Sequence, residues 1–223
     1  MQVNVAALVA YLVATFFVCG IPFGKIIARA KGVDIQRVGS GNIGTTNVAR
    51  EIGKGAAVLT LLFDAGKGAL VTGLAGALFP QWVTGAGAWC VGLVMMAAVC
   101  GHIFSPFLGF HGGKGIAVGV GSLLGFAWPV GLIELGIFIA IAYLTKRVSA
   151  GSITVAGIVG LVLALFYGPN LPQDLIVEAA GLVVVWAHRS NIRKLARGEE
   201  RPFSFHKKGD PVAPDDPSVG AGK

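Results

Sequence analysis

The sequence predicts an all-α fold: a polytopic membrane helix bundle of about seven transmembrane helices, with the N-terminus outside and the C-terminus cytoplasmic. Three observations predict it. Hydrophobic residues fill 54% of the 223 positions and charged residues only 13%, whereas a soluble domain carries roughly a quarter charged residues. The apolar residues are spread along the chain in seven runs, so one buried core does not account for them. The Lys and Arg residues fall in alternate gaps between those runs, as the positive-inside rule requires.

The first run, residues 5–27, follows no basic segment. Gln2 and Asn4 are its only early polar residues, so it reads as a membrane helix and not as a signal peptide. The second and third runs are 56–79 and 82–103. The fourth and fifth, 116–128 and 129–144, form either two helices or one helix bent at Pro129. The last two are 153–167 and 175–187. Several are shorter than the ~20 residues that cross a bilayer upright, so flanking polar residues or a thinned bilayer must complete them. Trp82, Trp128 and Tyr167 fall at the expected outer ends, where an aromatic belt forms. Glycines number 34, and those inside runs, such as Gly73, Gly76, Gly119 and Gly121, suit close helix packing. Residues 1–200 make one membrane-embedded domain. The tail, 201–223, is rich in Pro, Asp, Gly and Lys and is expected to be a disordered cytoplasmic segment.

The basic residues fix the parity of the spans. Six lie between Lys25 and Lys54, Lys114 follows the third run, Lys146 and Arg147 follow the fifth, and eight lie from Arg189 onward. The intervening gaps hold none. The net charge of +7 therefore points to lipid head groups or an anionic substrate as partners, and no nucleic-acid motif is present. Cys19, Cys90 and Cys100 lie in apolar runs without metal-ligand spacing, so neither a metal nor another cofactor is expected. Lys67 stands inside the second run three residues from Asp64, where the two must pair or face the bundle interior. Glu134 stands alone in the fifth run, and nothing local gives it a role.

Three polar clusters share the predicted inner side. The first is Gly39-Ser-Gly-Asn-Ile-Gly-Thr-Thr-Asn-Val-Ala-Arg50. Its glycines permit positive φ and a nest of backbone N–H groups. Ser40, Thr45, Thr46 and Asn47 add short donors, and Arg50 adds a fork suited to phosphate. The second is Gly101-His-Ile-Phe-Ser-Pro-Phe-Leu-Gly-Phe-His-Gly-Gly-Lys-Gly115. Gly112, Gly113, Lys114 and Gly115 precede an apolar helix, a setting for anion-binding backbone donors beside a lysine. It is not a Walker loop, because Leu108 stands where that pattern needs Gly and Gly115 replaces its Ser/Thr. His102 and His111 read as local hydrogen-bond partners. The third cluster is split between Lys146-Arg147-Val-Ser149-Ala-Gly-Ser152 and Trp186-Ala-His188-Arg189-Ser-Asn191-Ile-Arg193-Lys194. His188 and Asn191 are three apart and share a helix face. There is no G-x-S-x-G nucleophile elbow, and none of the four histidines is followed five residues later by Asp. The residues alone indicate a membrane protein handling phosphorylated substrates at its inner face, as an enzyme, as a transporter of a phosphorylated solute, or as an anchor for a synthetic complex.

The segment 39–50, the segment 101–115 and the ending His188-Arg-Ser-Asn-Ile192 resemble the three motifs of the bacterial acyl-phosphate:glycerol-3-phosphate acyltransferase family. The likeness covers nearly the whole chain, with motifs in the family's order and spacing. Two positions depart from it: Thr45 stands where the family usually has Ala, and His111 where it often has Lys. The resemblance implies transfer of an acyl group from acyl-phosphate to the 1-hydroxyl of glycerol 3-phosphate, at the cytoplasmic face of the inner membrane, without a cofactor. Under that reading Ser40, Arg50, Lys114, His188 and Asn191 form the catalytic set. Gly39, Gly41, Asn42, Gly44, Thr45, Thr46 and Asn47 cradle the acyl-phosphate head group. Gly112, Gly113 and Gly115 flank the phosphate held by Lys114, and Ser152 helps orient glycerol 3-phosphate. The proton acceptor is either His188 or the substrate's own phosphate.

Overall fold

The computed structural model describes residues 3–200, 202 and 203. The expectation of a disordered tail lies outside these residues, Pro202 and Phe203 excepted. The described residues form eleven α-helices and three short 3-10 turns. Apolar sequence decides where the helices run, and proline, glycine and polar side chains decide where they stop.

α1 (Val5–Gly20) opens with Asn4, whose side-chain oxygen accepts from the Ala7 amide at 3.1 Å. The expected run 5–27 is broken at Pro22, which has no N–H to continue the ladder, and α2 (Phe23–Ala30) resumes beyond it. α3 (Thr45–Glu51), unexpected from hydropathy, precedes α4 (Lys54–Leu78). Residues 80–82 and 85–87 are 3-10 turns, so α5 (Trp89–Ile103) begins later than the run 82–103 suggested. Trp82 is consequently not part of an aromatic belt. It is 1% exposed and stacks on Phe79 at 4.0 Å, with Tyr11 edge-on at 5.6 Å. Trp128 and Tyr167 are exposed, as a belt requires.

α6 (Ile116–Phe126) and α7 (Trp128–Thr145) are separate helices divided at Ala127, with Pro129 in the first turn of α7, where a missing N–H costs nothing. The run 153–167 is two helices, α8 (Val148–Ala156) and α9 (Val159–Tyr167), meeting at 54°. α10 (Leu171–Ala187) turns by 61° at His188 into α11 (Arg189–Ala196). Four helical stretches are long and apolar enough to cross a membrane, and six if each bent pair is one span. α6, with 11 residues, is only about 16 Å long and is too short to cross unaided.

Small residues set the closest contacts. A Cβ on Gly121 would lie 2.0 Å from the Ala65 carbonyl oxygen and one on Gly68 would lie 2.3 Å from that of Val118, so α4 and α6 pack backbone to backbone. Thr72 Oγ1 stitches the same seam by donating to the Ser122 carbonyl at 2.8 Å. The outward faces carry exposed Val9, Leu62, Leu144 and Leu165, the apolar shell that lipid would cover.

Candidate functional site

The first motif is a loop folded around one amide. Asn47 is buried in α3, and its Oδ1 accepts from the Ser40 amide at 3.0 Å. Its Nδ2 donates to the carbonyls of Ile35 and Val38, both at 3.2 Å. Gly39 and Gly41 have φ of +58° and +67°, which places them in the left-handed region. A Cβ on Gly39 would lie 2.4 Å from Asn47 Oδ1. Asn42 caps the Gly44 amide at 2.8 Å. The Asn47 amide thus holds the loop together, and Ser40 lies exposed at its surface. Thr45 and Thr46 begin α3, and the Thr45 hydroxyl has no hydrogen-bond partner among the described residues.

The second motif is pinned to the end of α5. The Gly112 amide donates to the Ile103 carbonyl at 2.9 Å and the Gly113 amide to the His102 carbonyl at 3.1 Å. These two amides are therefore not anion donors, contrary to the reading of a free glycine nest. The glycines are there for clearance. A Cβ would lie 1.9 Å from the His102 oxygen at position 112 and 2.1 Å from His102 Nε2 at position 113. Gly115, at φ +85°, leads into α6.

This anchoring presents Lys114, which reaches the third motif. Lys114 Nζ donates to Asn191 Oδ1. Asn191 Nδ2 in turn donates to both oxygens of Glu200, at 2.9 and 3.1 Å. Burial pushes the Lys114 pKa down to about 8. Glu200 pulls it back up, while Lys194 and Arg50 lower it further. Arg50, Lys194 and Glu200 thus lie within electrostatic range of this ammonium. Arg50 also donates to the Pro202 carbonyl at 3.4 Å. Leu108 of the second motif and Phe203 pack on the apolar cluster beneath the first motif, formed by Ile35, Ile43, Val48 and Ala49. The three clusters thus meet at one end of the bundle.

His188 is buried at the α10–α11 bend, within electrostatic reach of Lys114 and Glu200. Its Nδ1 lies 2.8 Å from the Val184 carbonyl. A carbonyl only accepts, so Nδ1 carries the proton and the neutral ring presents a lone pair at Nε2. Ser152 is buried and back-bonds to the Val148 carbonyl at 3.0 Å, keeping its lone pairs. Beside this end, Phe104, Leu182, Val183 and Trp186 line an apolar groove of about 290 Å³.

Glu200 belongs to none of the three sequence motifs, and its link to the site comes through Asn191. Asp64 and Lys67 do pair, at 2.8 Å, deep in α4. Glu134 is buried with neither carboxylate oxygen hydrogen-bonded among the described residues. It lines a cavity of about 20 Å³ with Met95 and Leu123, room for one water. No group of three His, Cys, Asp or Glu residues is disposed to hold a metal among the described residues.

A family model described as glycerol-3-phosphate acyltransferase matches residues 9–198. The glycerol-3-phosphate acyltransferase of Rubrobacter xylanophilus is 44% identical over 193 residues, covering 86% of this chain and 94% of that protein. One from Thermus thermophilus is 40% identical over 190 residues, covering 85% and 92%. A crystal structure of PlsY, an integral membrane glycerol 3-phosphate acyltransferase, in its glycerol 3-phosphate form, superposes with a TM-score of 0.81 at 31% identity, covering 89% of this chain and 96% of that one. The lysophosphatidic acid form of the same enzyme gives 0.79 at 30% identity, with the same coverage.

Proposed function

The chain belongs to the glycerol-3-phosphate acyltransferase family, and from that membership we propose that it moves a fatty acyl group from acyl-phosphate to the 1-hydroxyl of glycerol 3-phosphate. The products are lysophosphatidic acid and inorganic phosphate, in the first acylation of bacterial phospholipid synthesis. The observation that carries this reading is the Lys114–Asn191 hydrogen bond that joins the second and third motifs, with Arg50, Lys194 and His188 within electrostatic range of that lysine. Several cationic donors at one point suit two phosphates brought together, whose mutual repulsion would otherwise oppose binding. The groove lined by Phe104, Leu182, Val183 and Trp186 takes Phe104 from the second motif and Trp186 from the third and suits an acyl chain.

In the reaction the substrate hydroxyl attacks the acyl carbonyl carbon, the bond from that carbon to the phosphate oxygen breaks, and the acyl ester forms. The hydroxyl proton passes to the departing phosphate. Arg50 and Lys114 hold the phosphates and stabilise the charge that builds on the leaving group. Ser40, with the loop 39–47 around it, holds the donor head group. Asn191, Ser152 and the His188 Nε2 lone pair orient the glycerol 3-phosphate hydroxyls, and fixing both substrates in line adds a proximity gain. The basic groups gathered at one end support an inner-membrane orientation with this end cytoplasmic, and residues 1–200 act as one acyltransferase domain.

Purified protein in detergent, supplied with acyl-phosphate and radiolabelled glycerol 3-phosphate, tests the proposal. Labelled lysophosphatidic acid is the expected product, and its failure to form under varied lipid and pH conditions would overturn the reading.

A further inference from the structure

One polar cluster lies outside the site. Lys67, in the middle of α4, is 5% exposed, and its partners Asp64 and His102 are 1% and 4% exposed. The Lys67 ammonium touches three acceptors from three parts of the fold. These are Asp64 Oδ1 at 2.8 Å, the Ile21 carbonyl at 2.8 Å and His102 Nδ1 at 3.1 Å. The Ile21 carbonyl lies at the helix break before Pro22, where it also accepts from the Phe23 amide at 3.1 Å. Phe23 lies under the same ammonium, 5.5 Å from Nζ to the ring centroid.

The chemistry of lysine orients the histidine. An ammonium has three protons and accepts nothing. Since the ammonium can only donate, His102 Nδ1 must be the acceptor in their contact. The neutral ring then carries its proton on Nε2. That Nε2 edge lies against Gly113, where a Cβ would sit only 2.1 Å away. The His102 backbone holds the same glycine, its carbonyl accepting from the Gly113 amide. Lys114 is the next residue. One further bond ties the ends together, as Ser105 Oγ donates to the Gly20 carbonyl at 2.6 Å.

We propose that Asp64, Lys67 and His102 are positioning residues for the reaction, a buried relay that fixes the His102 ring against Gly113 and so sets where Lys114 meets the substrate phosphate. The inference rests on the proposed acyl transfer and adds to it a set of residues that never touch substrate. Asp64 supplies the charge that makes a buried ammonium tolerable. Lys67 clamps the α1–α2 break and fixes the His102 tautomer. His102 converts that fixed point into the height and tilt of the glycine loop. A buried network that ties three parts of the fold together is rigid, which is what a loop aiming a flexible lysine requires.

Two kinds of variant separate this role from bulk stability. The double substitution Asp64→Asn/Lys67→Met removes both charges together and leaves neither buried alone. His102→Asn keeps an oxygen near the Nδ1 position, while His102→Leu keeps only bulk. In detergent, KM for glycerol 3-phosphate is expected to rise about tenfold to a hundredfold in the double variant and in His102→Leu, with kcat changed less and His102→Asn recovering most of the loss. A double variant with wild-type KM, or His102→Asn no better than His102→Leu, would overturn the relay. Nitrogen-15 NMR of wild-type protein labelled at histidine gives a readout independent of turnover and of variant folding. The His102 ring is expected as the neutral tautomer protonated at Nε2, and a ring protonated at Nδ1 overturns the inference. Wild-type protein that makes no lysophosphatidic acid would instead count against the acyl-transfer reading, and the tautomer would still test the cluster.

Discussion

Lys67 and Lys114 are the same side chain in two settings. Lys67 donates to the Ile21 carbonyl and to His102 Nδ1 and pairs with the Asp64 carboxylate at 2.8 Å. Lys114 donates to the Asn191 amide oxygen, has two further cations near it, and is half-buried at the end of the bundle. A lysine buried against a carboxylate and two further acceptors holds structure. One that is partly desolvated, crowded by like charge and short of acceptors is poised for an incoming anion. A cation's role follows from its unfilled contacts, not from its charge.

The largest effect expected is at Lys114. Lys114→Met should lower kcat/KM by about 10²–10³-fold, because a donor aimed at developing phosphate charge is lost, while thermal stability changes little. Steady-state kinetics beside a thermal melt measures both, and a modest loss would erase the contrast with Lys67. Arg50→Ala should come next, raising KM for a phosphate-bearing substrate about tenfold to a hundredfold, as expected for charge-assisted bonds. Unchanged KM for both substrates would remove Arg50 from the site.

The pH profile sharpens the same contrast. The Lys114 pKa is lowered from an ordinary lysine's to about 8, and the cationic form is the one that binds. kcat/KM is therefore expected to be full below pH 8 and to fall about tenfold per unit above it. Lys114→Arg should abolish that limb, since guanidinium stays charged. His188→Ala should cost about tenfold in rate if His188 only orients the hydroxyl through one hydrogen bond. Complete loss of turnover with both substrates still bound would make His188 the base in place of the substrate phosphate. The smallest catalytic effect is expected at Asn47, whose amide holds its loop together. Asn47→Ala should destabilise the fold by about 2 kcal/mol through its lost buried hydrogen bonds, seen as a lower Tm, with kcat falling less than in Lys114→Met.

What could be read in the sequence was local. All seven apolar runs became helical, because hydropathy is a property of contiguous residues. The three polar clusters converge as their residue types suggested. What could not be read was tertiary. The breaks at Pro22 and His188 carry a proline or polar signal, but the break between α8 and α9 lies inside an apolar run. α3 is too short for hydropathy to mark. Trp82 looked like a belt residue because its burial depends on Phe79 and Tyr11, distant in the chain. The glycines at 112 and 113 suggested free amides, yet composition cannot tell a vacant N–H from one bonded to the end of α5. Glu200 gains meaning only through Asn191, nine residues earlier and across a turn.

The proposed acyl transfer consumes acyl-phosphate at the Lys114 end of the bundle. Its most direct test measures phosphate released against lysophosphatidic acid formed, at pH 7, with acyl-phosphate as sole donor and no coenzyme A or carrier protein. One phosphate per lysophosphatidic acid, with both products lost together in Lys114→Met, is the predicted result. Product formed only from a thioester donor, or without matching phosphate release, would contradict it.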